Sequence, residues 1–296
     1  MGEKQDIYMS LRIVTDASAD ITPDTAARLQ IGIVPIPVCS DSEEFFSEAD
    51  ANAADAGQLR DRFYRKLRAG VPFRTKAISP DGYASFLKPY AERGDEVICC
   101  CTSSALSQNF THAKAARRKL LEVYPEFHLT IIDSNEISLG LGIPVMVAAG
   151  EALKGTERDR ILKRLIFECM HQKLIFVVPD VRYLVPDAQE EAVHHPHFLE
   201  FVPVLEVATS GNLSVIERTR NMGNALERLL QLAGQYGTDL SGKTVGIIHA
   251  DAEPLADHLR SELKKRFHVK GFITECAGAA VAAHAGPDAV GIIFEY

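Results

Sequence analysis

Two α/β domains are predicted from three observations. Apolar runs of strand length alternate with stretches of helical length along the chain, polar turns rich in Ser, Thr and Asp follow several of the runs, and 296 residues exceed one ordinary core. Leu11, Ile13 and Val14 form the first run, and Thr15 to Asp20 the polar turn after it. A helix is predicted over Pro23 to Leu29. Ile31 to Val38 is a second run, and Pro35 and Pro37 mark it as an edge or irregular strand, because proline cannot donate to a ladder. Asp41 to Gln58 is acidic and Ala-rich and reads as a surface loop or short helix. Helices are expected at Leu59 to Arg68 and Gly82 to Arg93.

Asp95 to Cys101 is a short buried strand. Thr102, Ser103, Ser104 and Ser107 follow it at the mouth of a helix through Ala113, Ala115 and Ala116. His128 to Ile132 is the next strand, ending in Asp133 and Ser134, and Leu139 to Leu153 a small-residue apolar helix. A boundary near Gly155 divides residues 1–154, an α/β domain carrying polar loops, from residues 155–296, a second α/β domain. The second half has strands at Leu174 to Val178, Phe201 to Val207, Leu213 to Glu217, Val245 to His249, Phe272 to Cys276 and Val290 to Tyr296. Its helices are predicted at Met222 to Gly234 and Pro254 to Phe267. Alternation of strands and helices implies a largely parallel sheet with its ligand crevice at the carboxyl ends of the strands, which puts Asp16, Ser104 and Asp133 on one rim.

Composition excludes several classes. With 46% hydrophobic and 24% charged residues the chain is globular, and a net charge of −8 argues against nucleic acid, whose phosphates require a basic surface. The six cysteines contain no CxxC. The adjacent Cys99, Cys100 and Cys101 alternate faces along a strand and fit reduced core residues of a cytoplasmic protein. No run of about 18 apolar residues suggests a membrane span. Met1 to Ser10 is too polar for a secretory signal, and Asp6 stands where myristoylation needs Ser or Thr. Neither GxxxxGK[ST] nor GxGxxG occurs, so a nucleotide site is not expected.

Three distant stretches carry small hydroxyl or imidazole side chains on turns: Thr75 to Pro80, Thr102 to Phe110 and His284 to Gly286. Four hydroxyls within six positions exceed what one helix end needs. The free N–H groups of a helix start could hold a carboxylate or phosphate without a cationic side chain.

The same residues resemble the DegV family of bacterial lipid-binding proteins over nearly the whole chain. Ile13 to Asp20 looks like the family's first strand and its Asp-Ser-x-x-Asp turn. Thr75-Lys76-Ala77-Ile78-Ser79-Pro80 keeps the Thr and final Ser-Pro of a Thr-Ser-Gln-Pro-Ser-Pro segment. Thr102 to Ser107 is similar to the Ser-Ser-x-Leu-Ser signature, with Gln108 and Asn109 in place of Gly-Thr. Asp133-Ser134 with Ser138 to Gly142, and Ala283-His284-Ala285-Gly286-Pro287, match two further turns.

The resemblance implies two α/β domains clasping a long-chain fatty acid at and below their interface, with no catalysis by the chain itself and no cofactor. In the better understood members the acid is presented to a separate kinase subunit that phosphorylates the carboxyl group for phospholipid synthesis. Carried over, Thr75 and Ser104 bond the carboxylate and His284 lies in the surrounding network, and Ser103 and Asp16 are counted with them as ligand-binding residues. Where the family has Gly-Gly-Arg-Ile-Ser, this chain has Tyr183-Leu184-Val185-Pro186-Asp187-Ala188-Gln189-Glu190-Glu191 and so lacks that Arg. Arg218 and Arg220 match a basic Arg-Thr segment and are candidates for a phosphate or partner contact.

A lipid site is physically reasonable. A tail with about 15 buried methylenes gains on the order of 12 kcal/mol before losses of ligand freedom, so the tail supplies affinity and the head group orientation. Ile166, Phe167, Leu174, Phe176, Phe198, Leu199, Phe201, Val204 and Leu205 are candidate walls. Two other readings have sequence support. Ser104 and His284 with Asp16 or Asp133 would make a serine hydrolase acting on an acyl substrate, although Ser104 lies outside any Gly-x-Ser-x-Gly elbow. His194, His195 and His197 near Glu190 and Glu191 have the composition of a metal site, but Pro196 and the polar context favour an exposed loop, so no metal is expected.

Overall fold

In a computed structural model, residues 10–40, 45–46, 53–184 and 201–296 are described. His194, His195 and His197, the segment from Val185 to Glu191, Phe198 and Leu199 lie outside them, as does most of the acidic stretch from Asp41.

Four parallel strands form the first sheet: β1 (Leu11–Asp16), β2 (Gly32–Val34), β6 (Glu96–Cys101) and β7 (Leu129–Asp133), in the order β2-β1-β6-β7. β2 is an edge strand that ends before Pro35, as the prolines require. Beyond them β3 (Val38–Ser40) pairs with β4 (Phe45–Phe46) and β5 (Phe73–Thr75) in a small antiparallel sheet. β6 is covered on both faces, which explains its unbroken apolar run. Val97, Cys99 and Cys101 pack with residues of α3 (Pro80–Arg93) and α4 (Asn109–Val123); Ile98 and Cys100 pack with α5 (Leu139–Leu153) and α6 (Arg158–His171). The three cysteines are free thiols in these two cores.

Local signals set the helix starts. Thr22 caps α1 (Pro23–Leu29) and Ser79 caps α3, each followed by a proline, whose fixed φ suits the first helical position. The hydroxyl cluster after β6 behaves differently. α4 starts only at Asn109, its N-cap Gln108 makes no side-chain capping bond, and Thr102 to Ser107 form a separate loop.

The expected break near Gly155 falls in the turn between α5 and α6. α6, which the sequence reading did not identify as a helix, buries Ile161, Leu165 and Cys169 against Ile13 and Leu141. Its stripe at i, i+4 and i+8 turns Ile166 and Phe167 outward, 41% and 48% exposed, so these two are not tunnel walls.

The second sheet is mixed, in the order β10-β9-β8-β13-β11-β12. Its strands are β8 (Gln172–Val177), β9 (Val202–Val207), β10 (Leu213–Thr219), β11 (Thr244–His249), β12 (Gly271–Cys276) and β13 (Val290–Glu295), and only β11 and β12 pair in parallel. One face packs on α7 (Met222–Tyr236) and α8 (Glu253–Phe267) through Ile175, Val177, Val204, Ile247 and Ile292. The other meets α2 (Ala53–Arg68), the small sheet and α9 (Ala279–Ala285) through Leu174, Leu205, Ile248 and Ile293. Val204 and Leu205 are thus core residues of the second sheet.

Candidate functional site

Three aspartates at or just beyond the carboxyl ends of β1 and β7 tie the surrounding loops, including the one after β6. Asp16 is fully buried. One carboxylate oxygen accepts from the Ser18 amide at 3.2 Å, the Ser18 hydroxyl at 2.5 Å and the Thr102 hydroxyl at 2.6 Å; the other accepts from the Thr102 amide at 2.9 Å. The Ser18 and Thr102 hydroxyl oxygens also lie close together, each giving its single proton to Asp16. Asp133 accepts from the Ser104 amide at 3.0 Å and the Asn135 amide at 3.3 Å. Asp20 accepts from the Ser138 hydroxyl at 2.5 Å and from the Gly278 amide at 2.8 Å, linking β1's loop to the start of α9.

Bonds of long sequence separation bring the three stretches together. Thr75 Oγ1 and His284 Nε2 share a hydrogen bond of 2.8 Å, and the Ile78 amide donates to Asn109 Oδ1 at 3.0 Å. Ser103, buried behind the loop, donates its hydroxyl to the Gly211 carbonyl at 2.9 Å and so reaches the turn between β9 and β10. Gly211 has φ +79°, and a Cβ there would lie 2.1 Å from Ser103 Oγ; only glycine permits this approach. Gly286 serves the same purpose after His284, since a Cβ at its φ of +71° would meet the Tyr183 ring at 2.3 Å.

Beneath His284 lies a cavity of about 310 Å³. Leu174, Phe176, Ile248 and Ala289 come from the second sheet and its turns, Val281, His284 and Ala285 from α9, and Leu106, Ile137 and Ser138 from the first domain's loops. That volume is at the lower end of the roughly 300–1,000 Å³ typical of ligand pockets. The walls are mainly apolar, and the polar groups are few. His284 faces cavity and solvent, and desolvation by its surroundings holds its imidazole below the ordinary histidine value. His249, at the end of β11, also lines the cavity. It accepts the Ala252 amide on Nδ1 at 3.1 Å, and burial likewise pushes its pKa down. Both shifts favour the neutral imidazole.

Of the sequence-derived candidates, His284 lines the cavity and Thr75 is bonded to it. Ser104 is exposed on the adjoining loop, and its hydroxyl makes no hydrogen bond among the described residues. Asp16 and Ser103 lie in the hydrogen-bonded scaffold behind, with their polar atoms engaged. Leu174 and Phe176 are walls. Arg218 and Arg220 are exposed at the far end of β10, about 17 Å along the strand from the cavity residue Leu213. Arg218 stacks over the Phe201 ring at 4.8 Å. No carboxylate hydrogen-bonds His284 among the described residues, so the orienting link of a Ser-His-Asp triad is not assembled there. Nor do the described residues contain a group of three or more His, Cys, Asp or Glu placed to hold a metal, or a helix long and apolar enough to cross a membrane.

Sequence reasoning missed His249, although a histidine on the last residue of a predicted strand sits where the crevice rule looks for ligands. Ile137 and Leu106 gave no chemical signal.

The family model for DegV, described as an uncharacterised protein family, matches residues 10–296. A DegV domain-containing protein of Caldanaerobacter subterraneus is 26% identical over 287 residues, 96% of this chain and 98% of its own. Among solved structures, a Thermotoga maritima protein reported to reveal fatty acid binding function superposes with a TM-score of 0.81 at 23% identity, covering 98% of this chain and 100% of that one. The Streptococcus pneumoniae fatty acid kinase B3 protein, loaded with linoleic acid, gives 0.80 at 15% identity, covering 97% and 99%.

Proposed function

The chain belongs to the DegV family, and from that premise we propose that it binds a long-chain fatty acid, with the tail in the cavity beneath α9 and the carboxylate at Thr75, His284 and Ser104. The observation that carries this reading is the Thr75–His284 hydrogen bond at the mouth of an apolar cavity. Neutral donors suit a carboxylate that must be oriented but stay chemically accessible, because a buried Arg would form a strong bidentate pair with it. If His284 Nε2 carries the proton and donates to Thr75 Oγ1, the Thr75 hydroxyl proton is free to point at the ligand. Asp16 and Ser103 then act as positioning residues, holding the loop that carries Ser104. The solved relatives named with fatty acids support the ligand class.

We further propose that the bound acid is presented to a separate kinase, with Arg218 on β10 and Arg220 just beyond it as partner contacts. The name of the pneumococcal relative and the open carboxylate position support this. Protein purified from a bacterial host should release about one equivalent of long-chain fatty acid per chain on organic extraction, read by mass spectrometry. Repeated preparations without acyl chain would refute the reading. Addition of a fatty acid kinase catalytic subunit and ATP to the loaded protein should yield acyl-phosphate, and Arg218→Glu with Arg220→Glu should slow that step without loss of ligand.

A further inference from the structure

A second hollow, about 500 Å³, lies on the opposite side of α9. Ile21, Ile31, Ile33, Ile36 and Phe86 wall it with apolar surface from the first domain. α2 closes another side, and its Gly57 opens directly on the space, since a Cβ built there meets no atom within 4 Å. Gly278, Ala279 and Ala280 supply the α9 side, whereas Val281, His284 and Ala285 of the same helix face the fatty-acid cavity.

Among the described residues, one cation enters this cleft. Arg60 of α2 is half-buried and makes no hydrogen bond or ion pair with any described residue. On the same helix Arg68 is fully committed, to both Asp251 and Asp288. Nearby acidic groups make no ion pair with Arg60, although its charge draws the Glu275 carboxyl down against the rise that burial causes. Asp20 is engaged by Ser138 and Gly278, Asp24 sits on the exposed rim, and burial raises the Glu275 carboxyl toward its neutral form. Cys276 is a neutral wall, its thiol pushed up to about 11 by burial. A partly desolvated guanidinium in apolar surroundings is stabilised by an anion that also fills the space. A polyanion such as a nucleoside phosphate would find a single cation among the described residues and meet Asp24.

We propose that this cleft is a second binding site, for a compact amphiphile that joins an apolar body to a single carboxylate or sulfonate, with Arg60 as its counter-ion. The site is distinct from the fatty-acid cavity and does not depend on that reading. The test uses 1-anilinonaphthalene-8-sulfonate fluorescence with the full chain, in the absence and presence of excess oleate. Wild-type protein should bind the probe in both conditions. Arg60→Gln should weaken it about tenfold or more, and Gly57→Leu, which fills the cleft from a helical position, should abolish it. Circular dichroism checks folding, and Arg60→Gln alone decides the matter if Gly57→Leu does not fold. Absence of probe binding, complete displacement by oleate, or unchanged affinity in Arg60→Gln overturns the proposal. Failure of oleate itself to bind would count against the fatty-acid reading and leave the Arg60 comparison intact.

Discussion

The two hollows on either side of α9 solve opposite electrostatic problems. Among the cavity's described residues, burial favours the uncharged forms of His249 and His284, and Thr75 is bonded to His284. In the cleft, Arg60 is the one cation among the described residues, and it makes no ion pair with any of them. The contrast teaches that orientation and attraction can be separated. A ligand whose tail supplies most of the binding free energy needs only weak, directional partners at its head, whereas a smaller molecule depends on a charge.

Four substitutions or titrations test this contrast. The largest effect is expected from Gly211→Val, which places a β-branched residue at φ +79° against Ser103 Oγ. It should destabilise the protein by about 3 kcal/mol through overpacking and backbone strain, read as a fall in denaturant midpoint. His284→Ala should lower fatty-acid affinity about tenfold and leave sulfonate binding in the cleft unchanged, the reverse of Arg60→Gln; equal losses at both hollows would erase the distinction. Arg68→Ala removes the bonds that tie α2 to Asp251 and Asp288, but these groups are 39–50% exposed, so only about 1 kcal/mol of stability should be lost.

The smallest effect is a pH dependence. The folded-state pKa values of His249 and His284 lie below the unfolded value, so the unfolded chain takes up more protons in acid. Their contribution to stability is whole above about pH 6.5 and falls as pH drops through and below it. A bound carboxylate favours the charged imidazole of His284, so affinity for ionised fatty acid should rise a few-fold as pH falls from about 8 toward 6. His284→Gln should remove that rise, measured by ligand titration at several pH values. No pH dependence in the unmutated protein would mean that His284 does not face the head group.

Much of the fold was legible because periodicity and breakers carry it. Pro35 and Pro37 ended an edge strand, and the doubly buried β6 appeared as a continuous apolar run. The second sheet's mixed pairing was not legible, since strand direction depends on which neighbours meet in space. Ile166 and Phe167 misled because an apolar residue does not reveal which side of a helix is covered; the stripe through Ile161, Leu165 and Cys169 decides it. At the candidate site, residue type pointed to Thr75 and His284, but sequence could not separate a side chain that faces a ligand from one that ties a loop. Asp16 and Ser104 look equivalent on paper; one is saturated by four hydrogen bonds, and the other is open to solvent.

Five of the seven residues of α9 are alanine. Such a partition has almost no side-chain relief of its own, and its position is fixed at its two ends, where Gly278 is bonded to Asp20 and Gly286 lies against Tyr183. The two compartments therefore share a smooth common wall whose faces can be resized independently. A bulkier residue at position 280 narrows one compartment and one at 281 narrows the other, which lets ligand size be tuned on either side by a single codon.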